Sequence, residues 1–430
     1  MIRGILLLLV LAVALPQAAQ QTDLRLNPEL GEETVRSVIN VSAYPFVKAA
    51  CNDIQLNDAD WSMLRRQFEA ADSQIVSIVH IGDSHVQSEG NTSRVRSALQ
   101  SRFGSAGRGI VSPLRLAGTN SPSDYSLRSE TRLTSSRLMK KPWNAGMGMT
   151  GVAIAPAGER LSLMVSARQP FDRLRIHSVG DAEVEPTSVD GGLMAAYISP
   201  VSNVTEVLLT RAVTEATLHL RVPSGTSVCA LELIRGNYGV EYSAIGNNGA
   251  TFSAYSSIQG FGASVARLRP SLIVISLGTN EAFGRFDETE IRGNVASLIE
   301  ELRRQNPEAV FLLTTPQECY RRRYTYTRRH KGRRRRRVSA YAVNPNIERV
   351  REVILGYAAE HHIAVWDWYE ISGGEGSATR WLTHGLMNKD RIHLTWDGYH
   401  LQGDMLADAL MRELLKKTSE NNPDDAESVR

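Results

Sequence analysis

The 430-residue chain reads as an α/β protein: a mostly parallel, three-layer α/β/α sheet interrupted by an inserted all-β sandwich. Three observations predict this. Five short apolar runs alternate with helical stretches, as in a sheet covered by helices on both faces. That alternation stops near Ser112 and resumes near Val240. Between those points the chain shows short alternating runs punctuated by Gly, Pro, Ser and Asp, as in Pro223-Ser224-Gly225, and that texture belongs to a β-sandwich.

The elements follow in order. Met1 to Ala19 has the build of a secretory signal, with Arg3 as its positive region, an apolar run from Ile5 to Leu15, and Pro16, Ala18 and Ala19 at the cleavage site. A run of about eleven apolar residues is too short for a membrane span, which needs about twenty. No later segment is long and apolar enough, so no transmembrane helix is expected. Residues 22–111 are expected to form the first part of the α/β domain. They hold helix-like stretches at Glu32 to Ile39 and Asp60 to Ala70, a strand at Gln74 to Ile81, the turn Gly82-Asp83-Ser84 and a helix at Asn91 to Phe103.

The insertion, 112–237, contains strand-like runs at Thr150 to Ala155, Arg160 to Ser166, Arg173 to Ser178, Glu206 to Thr210, Ala216 to Val222 and Ser227 to Arg235. The second part of the α/β domain is 238–416. Its strands are Val240 to Ile245, Leu272 to Leu277, Val310 to Thr314 and Ile363 to Trp368. Its helices are Ser256 to Arg267, Asp287 to Gln305, Ile347 to Glu360 and Tyr399 to Lys416. The tail, 417–430, is polar and expected to be disordered.

Composition excludes several classes. Three cysteines, Cys51, Cys229 and Cys319, allow one disulfide at most, so this is not a disulfide scaffold. Cys229 lies in an apolar run and is expected to be a small buried hydrophobe. No Cys/His spacing suits zinc and no segment suits a calcium loop, so neither metal nor cofactor is expected. The net charge of +3 is uneven. Arg321 to Arg337 carries ten arginines and one lysine, and without those eleven charges the remainder stands at 3 − 11 = −8.

Four separated segments carry the chemistry: Gly82-Asp83-Ser84-His85, Gly246-Asn247-Asn248-Gly249, Gly278-Thr279-Asn280-Glu281 and Asp390-Arg391-Ile392-His393. The first and third end strand-like runs, and in open α/β sheets such ends are where sites form. Serine needs a positioned base to become a nucleophile. Ser84 is the candidate nucleophile and His393 the candidate base. Asp390, three residues earlier, is placed to fix the imidazole tautomer and stabilise the imidazolium. A tetrahedral intermediate also needs donors for its oxyanion. Ser84 N–H, Gly249 N–H and the Asn280 amide are the candidates, with Gly246 as a rival within its loop and Asp367 as a rival acid. The G-x-S-x-G elbow of ordinary α/β-hydrolases is absent around Ser84.

These four blocks, in this order, resemble the SGNH (GDSL-type) hydrolase superfamily over residues 75–110 and 239–416. The first block reads Gly-Asp-Ser-His where many members have leucine at the position of His85. A first block of that form, followed by an inserted β-sandwich resembling a carbohydrate-binding module, is similar to the peptidoglycan O-acetylesterases of Gram-negative bacteria. The resemblance implies a periplasmic enzyme. It would release acetyl groups from the C6 hydroxyl of N-acetylmuramic acid through an acyl-enzyme, with acetylated glycan as partner. Two other functions remain open at this point. One is a non-catalytic envelope glycan-binding protein. The other is an esterase or O-acetyltransferase acting on another polysaccharide.

The remaining features have bland readings beside functional ones. Arg321 to Arg337 is expected to be a mobile loop, since like charges repel. An anionic envelope polymer is its functional alternative, and export argues against nucleic acid. Tyr320, Tyr324 and Tyr326 are either sugar platforms or loop anchors. Trp366 and Trp368 are expected to be buried, and Trp381 to wall the pocket.

Overall fold

The computed structural model describes residues 41–143, 146–326 and 337–416. The signal-like segment, the helix expected at 32–39, the middle of the arginine tract and the tail lie outside the described residues.

The catalytic sheet has five parallel strands in the order Gly239–Gly246, Ile75–Gly82, Leu272–Ser276, Val310–Thr314, Ala364–Trp366. Runs such as Ile75–Gly82 are almost wholly buried, as expected for strands covered on both faces. On one face Val79, Ile81, Ile273 and Ile275 pack with residues of helices Glu288–Gln305 and Asn346–Glu360. On the other, Val76, Ile78, Leu272 and Val274 pack with residues of helices Ser62–Glu69, Gly90–Phe103 and Trp396–Leu414. Glu288–Gln305 shows why such segments are helical. The Asp287 side chain accepts the Glu290 N–H, and Ile291, Val295, Leu298, Ile299 and Leu302 form one buried stripe.

Register places the site. Gly82 lies opposite Gly246 on one side and Ser276 on the other. The loops that follow these three strands therefore leave the sheet at one edge. The chain crosses from one neighbour of the Ser84 strand to the other, and this is the crevice where α/β sheets bind ligands. Helix packing supplies the fourth segment. Trp396–Leu414 crosses Gly90–Phe103 so closely that a Cβ on Gly403 would sit 2.3 Å from Asn91 O, and one on Gly90 would sit 2.7 Å from Tyr399 Cβ. That contact draws the Asp390–His393 loop, just before one helix, onto the serine turn just before the other.

The insertion is antiparallel β throughout. Among the described residues its eight strands, joined by Gly107–Val111, form one nine-stranded hydrogen-bonded sheet rather than two separate ones. The runs expected as four strands form two long ones, Arg160–Val179 and Val204–Arg221, whose pairing shifts register between Ser166 and Arg173. Pro170 lies in that break, where no ladder N–H is required. The two halves of the folded sheet share one core, which includes Leu163, Val165, Ile176, Val207, Leu218 and Leu231. Gly107–Val111, expected to lie in the catalytic part, pairs with Ser227–Ile234 of this sheet.

The described ends of the arginine tract are not a loop. Tyr320–Tyr326 pairs antiparallel with Arg337–Val343. Among the described residues no helix is long and apolar enough to cross a membrane.

Candidate active site

Ser84 starts a one-turn helix, Ser84–Gln87, directly after the buried strand. Asp83 caps it, its carboxylate accepting the His85 N–H at 2.9 Å. His393 Nε2 lies 2.9 Å from Ser84 Oγ, and His393 Nδ1 lies 2.7 Å from Asp390 Oδ2. A carboxylate only accepts, so Nδ1 carries the proton and Nε2 is left to receive the serine's. Asp390 is itself fixed, because Oδ1 accepts the backbone N–H groups of Ile392 and His393, each at 3.0 Å.

The electrostatics agree with this geometry. Burial opposes charge on His393, but the hydrogen bond and charge of Asp390 outweigh it and raise the imidazole pKa. Burial would raise Asp390, yet the His393 and backbone N–H bonds bring it down to about 2. Asp83 is fully enclosed, and burial pushes its carboxyl up to about 6. His85 packs its ring 5.3 Å from that of His393 and bonds Tyr399 Oη through Nδ1 at 3.0 Å. Burial, then the His393 charge, hold it down to about 3, so it is neutral.

Ser84, Gly249, Asn280 and His393 line one cleft of about 640 Å³, with Asn120, Asn248, Phe283 and Asn388 among its other walls. Gly249 has φ +82° and open space at its missing Cβ, where the nearest atom is Met139 Cε at 3.9 Å. Its rival Gly246 serves packing, since a Cβ there would lie 2.1 Å from Gln87 N. Asn280 reaches the cleft with its amide already engaged. Its Nδ2 donates to Asp83 Oδ2 and to Ala250 O, each at 3.0 Å. An amide nitrogen has two protons, so donation to an oxyanion requires one of these bonds to yield.

Other expected residues fall outside the site. Asp367 is held by Arg351 and by Thr315 Oγ1, the shortest Arg351 contact being 2.6 Å, and so is no partner for the histidine. Trp366 and Trp368 stack at 4.9 Å in the core. Trp381 is buried with its Nε1 on Ser372 O and is not part of the cleft wall. Tyr320 bonds Thr379 through its hydroxyl and packs under Arg391, so it is an anchor, while Tyr324 is exposed. The Tyr326 side chain lies outside the described residues. Cys229 is buried as expected. Among the described residues no cluster of His, Cys, Asp or Glu could hold a metal.

With the geometry in place, the comparisons are informative. Residues 224–401 match the model of the GDSL-like Lipase/Acylhydrolase family. That span contains Gly249, Asn280, Asp390 and His393 but not Ser84, which the fold alone returns to them. The chain has the fold of the SGNH (GDSL-type) hydrolases. A solved peptidoglycan O-acetylesterase superposes with a TM-score of 0.67 at 20% identity, over 84% of this chain and 99% of that one. The two catalytic segments alone are too short for that coverage, so the match takes in the insertion. A lipase/acylhydrolase from Enterococcus faecalis (21% identity, 42% of this chain and 80% of that one) and a family 3 carbohydrate esterase from Talaromyces cellulolyticus (14%, 43% and 76%) each give a TM-score of 0.30. No curated protein matches the sequence.

Two residues beside this site were not singled out from the sequence. Gln87, two residues beyond the first block, and Asn120 are polar side chains outside any of the four blocks, and only the fold gives them partners.

Proposed function

We propose that this protein is an SGNH hydrolase, a secreted, periplasmic O-acetylesterase that removes acetyl groups from the C6 hydroxyl of N-acetylmuramic acid in peptidoglycan. The observation that carries the reading is the continuous hydrogen-bonded path from Ser84 through His393 to Asp390. In this mechanism His393 takes the Ser84 proton as Oγ attacks the acetyl carbonyl. The backbone N–H groups of Ser84 and Gly249 face the developing oxyanion, with Asn280 joining them. The imidazolium then protonates the departing sugar oxygen. Water attacks the acetyl-enzyme by the reverse route and releases acetate.

Fold similarity to a peptidoglycan O-acetylesterase, insertion included, supports the substrate. Solvent access supports hydrolysis over acetyl transfer, which must exclude water: the His393 and Asp390 side chains are 37% and 49% exposed. An intact Ser-His-Asp path is unneeded in a purely glycan-binding protein. The arginine tract fits an anionic envelope polymer as a secondary partner. The test is acetate release from O-acetylated peptidoglycan, with acetylated xylan in parallel. Release from peptidoglycan at the higher kcat/KM supports the assignment, and release from xylan alone moves it to another polysaccharide.

A further inference from the structure

The loop that carries Gly249 is held from outside itself. Gln87, only 3% exposed, ends the one-turn helix that Ser84 begins. Its Oε1 accepts the Asn248 N–H at 2.7 Å. Its Nε2 donates to Asn120 O at 2.8 Å and Asn120 Oδ1 at 2.9 Å, with Thr119 Oγ1 at 3.2 Å. Asn248 Nδ2 closes the cluster by donating to Asn120 Oδ1 at 2.6 Å. One amide cluster thus joins the serine helix, the first loop of the insertion and the oxyanion loop.

The far side of the loop is also tied to the insertion. Asn247 Nδ2 donates to Thr150 O at 2.9 Å and to Tyr255 Oη at 3.1 Å.

These contacts bear on the direction of a single N–H. Peptide units are planar, so fixing the Asn248 N–H fixes the plane before its Cα. Fixing the Asn248 side chain as well fixes its φ, and the bond from Ala250 N–H to Asn247 O at 3.0 Å closes the turn across the plane that follows. The next plane carries the Gly249 N–H, and glycine at positive φ would otherwise have several conformations within reach. Oxyanion donors help in proportion to how well they are aimed before the charge develops.

We propose that Gln87 is a positioning residue which, together with Asn120 of the insertion, aims the Gly249 N–H at the oxyanion. The β-insertion is then part of the catalytic machinery, in addition to any role in holding polymer. This rests on the reading of Ser84 as the nucleophile for ester hydrolysis.

The test uses the full chain, a small soluble acetyl ester, and two variants. Gln87→Met removes both halves of the amide at similar volume. Asn120→Ala acts on an exposed loop and spares the core if the first variant folds poorly. Active-site titration with a fluorophosphonate normalises kcat to competent enzyme. In Gln87→Met, kcat per titrated site falls about 10- to 100-fold with KM unchanged, less than deletion of a whole donor would cost. Affinity for a trifluoromethyl ketone, whose hemiketal oxygen occupies the hole, falls by the same factor. Asn120→Ala shows a smaller loss with the same split. Unchanged kcat per site in both variants overturns the inference. So does a loss confined to KM, or a reduced titratable fraction with normal turnover per site. If the wild-type protein itself turns over no acetyl ester, the nucleophile reading fails instead, and the two failures are distinct.

Discussion

The oxyanion loop and the Asp390–His393 loop face each other across one cleft, yet they are held by opposite means. Gly246–Gly249 is pinned by buried amides on both sides and pressed against the backbone of the serine helix. Asp390–His393 is braced mostly by its own backbone, with Arg391 at φ +63° and both working side chains open to water. The difference follows from the work each side would do. Donors for a developing oxyanion act best when fixed and dry. A base that passes its proton to the departing sugar oxygen and takes another from the attacking water can stay within reach of solvent. The hole is therefore set by packing, and the base by pH.

The comparison can be broken at several points. Ser84→Ala removes the group both sides serve, so turnover of a small acetyl ester is abolished while the folded circular dichroism spectrum is kept. Wild-type turnover in that variant would reject the nucleophile assignment. Asp390→Asn strikes the wet side. It leaves His393 without the carboxylate that fixes its tautomer, and kcat should fall by on the order of 10⁴. A larger loss from Asp367→Asn would show that the wrong acid was chosen.

Asn280→Ala strikes the oxyanion side and should lower kcat by roughly 10²–10³ with little change in KM. A pure KM effect would make Asn280 a substrate-binding residue instead.

A pH profile separates the two sides without a large loss of rate. His393 acts as a base only when neutral, and Asp390 raises its pKa above 6.5. Activity is then present at high pH and is lost as pH falls through that raised value. In the residual activity of Asp390→Asn the acid limb moves to lower pH, whereas in Asn280→Ala it stays in place. The smallest effect is expected on the outer face of the insertion. Surface substitutions away from Asn120 should weaken activity on insoluble peptidoglycan and spare the soluble ester, because local binding raises the effective concentration of acetyl groups. Equal loss on both substrates would give that face a structural role.

The same contrast governs what could be read from the sequence. The parallel strands were legible because burial on both faces leaves continuous apolar runs, as at Leu272–Ser276 and Val310–Thr314. Helices such as Glu288–Gln305 and Asn346–Glu360 were legible from their periodicity, whereas the helix expected at Ser256 to Arg267 is two short ones, Phe252–Ser256 and Phe261–Ala266. The insertion was legible only as β. Its register breaks split Arg160–Val179 and Val204–Arg221 into pieces, and exposed Met194–Val201 carries no alternation to detect. Within the site, Ser84, Gly249, Asn280, Asp390 and His393 stood out because ester hydrolysis uses those residue types and because their four blocks resemble those of the SGNH superfamily in order. Gln87 and Asn120 did not, because an amide acquires its role from the partner the fold provides. Sequence order also gave no sign that both amide protons of Asn280 already have acceptors.

The central claim is that Ser84, activated by His393, forms a covalent acyl-enzyme. The most direct test is mass spectrometry of the full chain after reaction with a fluorophosphonate. The account predicts a single adduct on the peptide containing Ser84, absent in Ser84→Ala and strongly slowed in His393→Ala. An adduct on another serine, or equal labelling in Ser84→Ala, would contradict it.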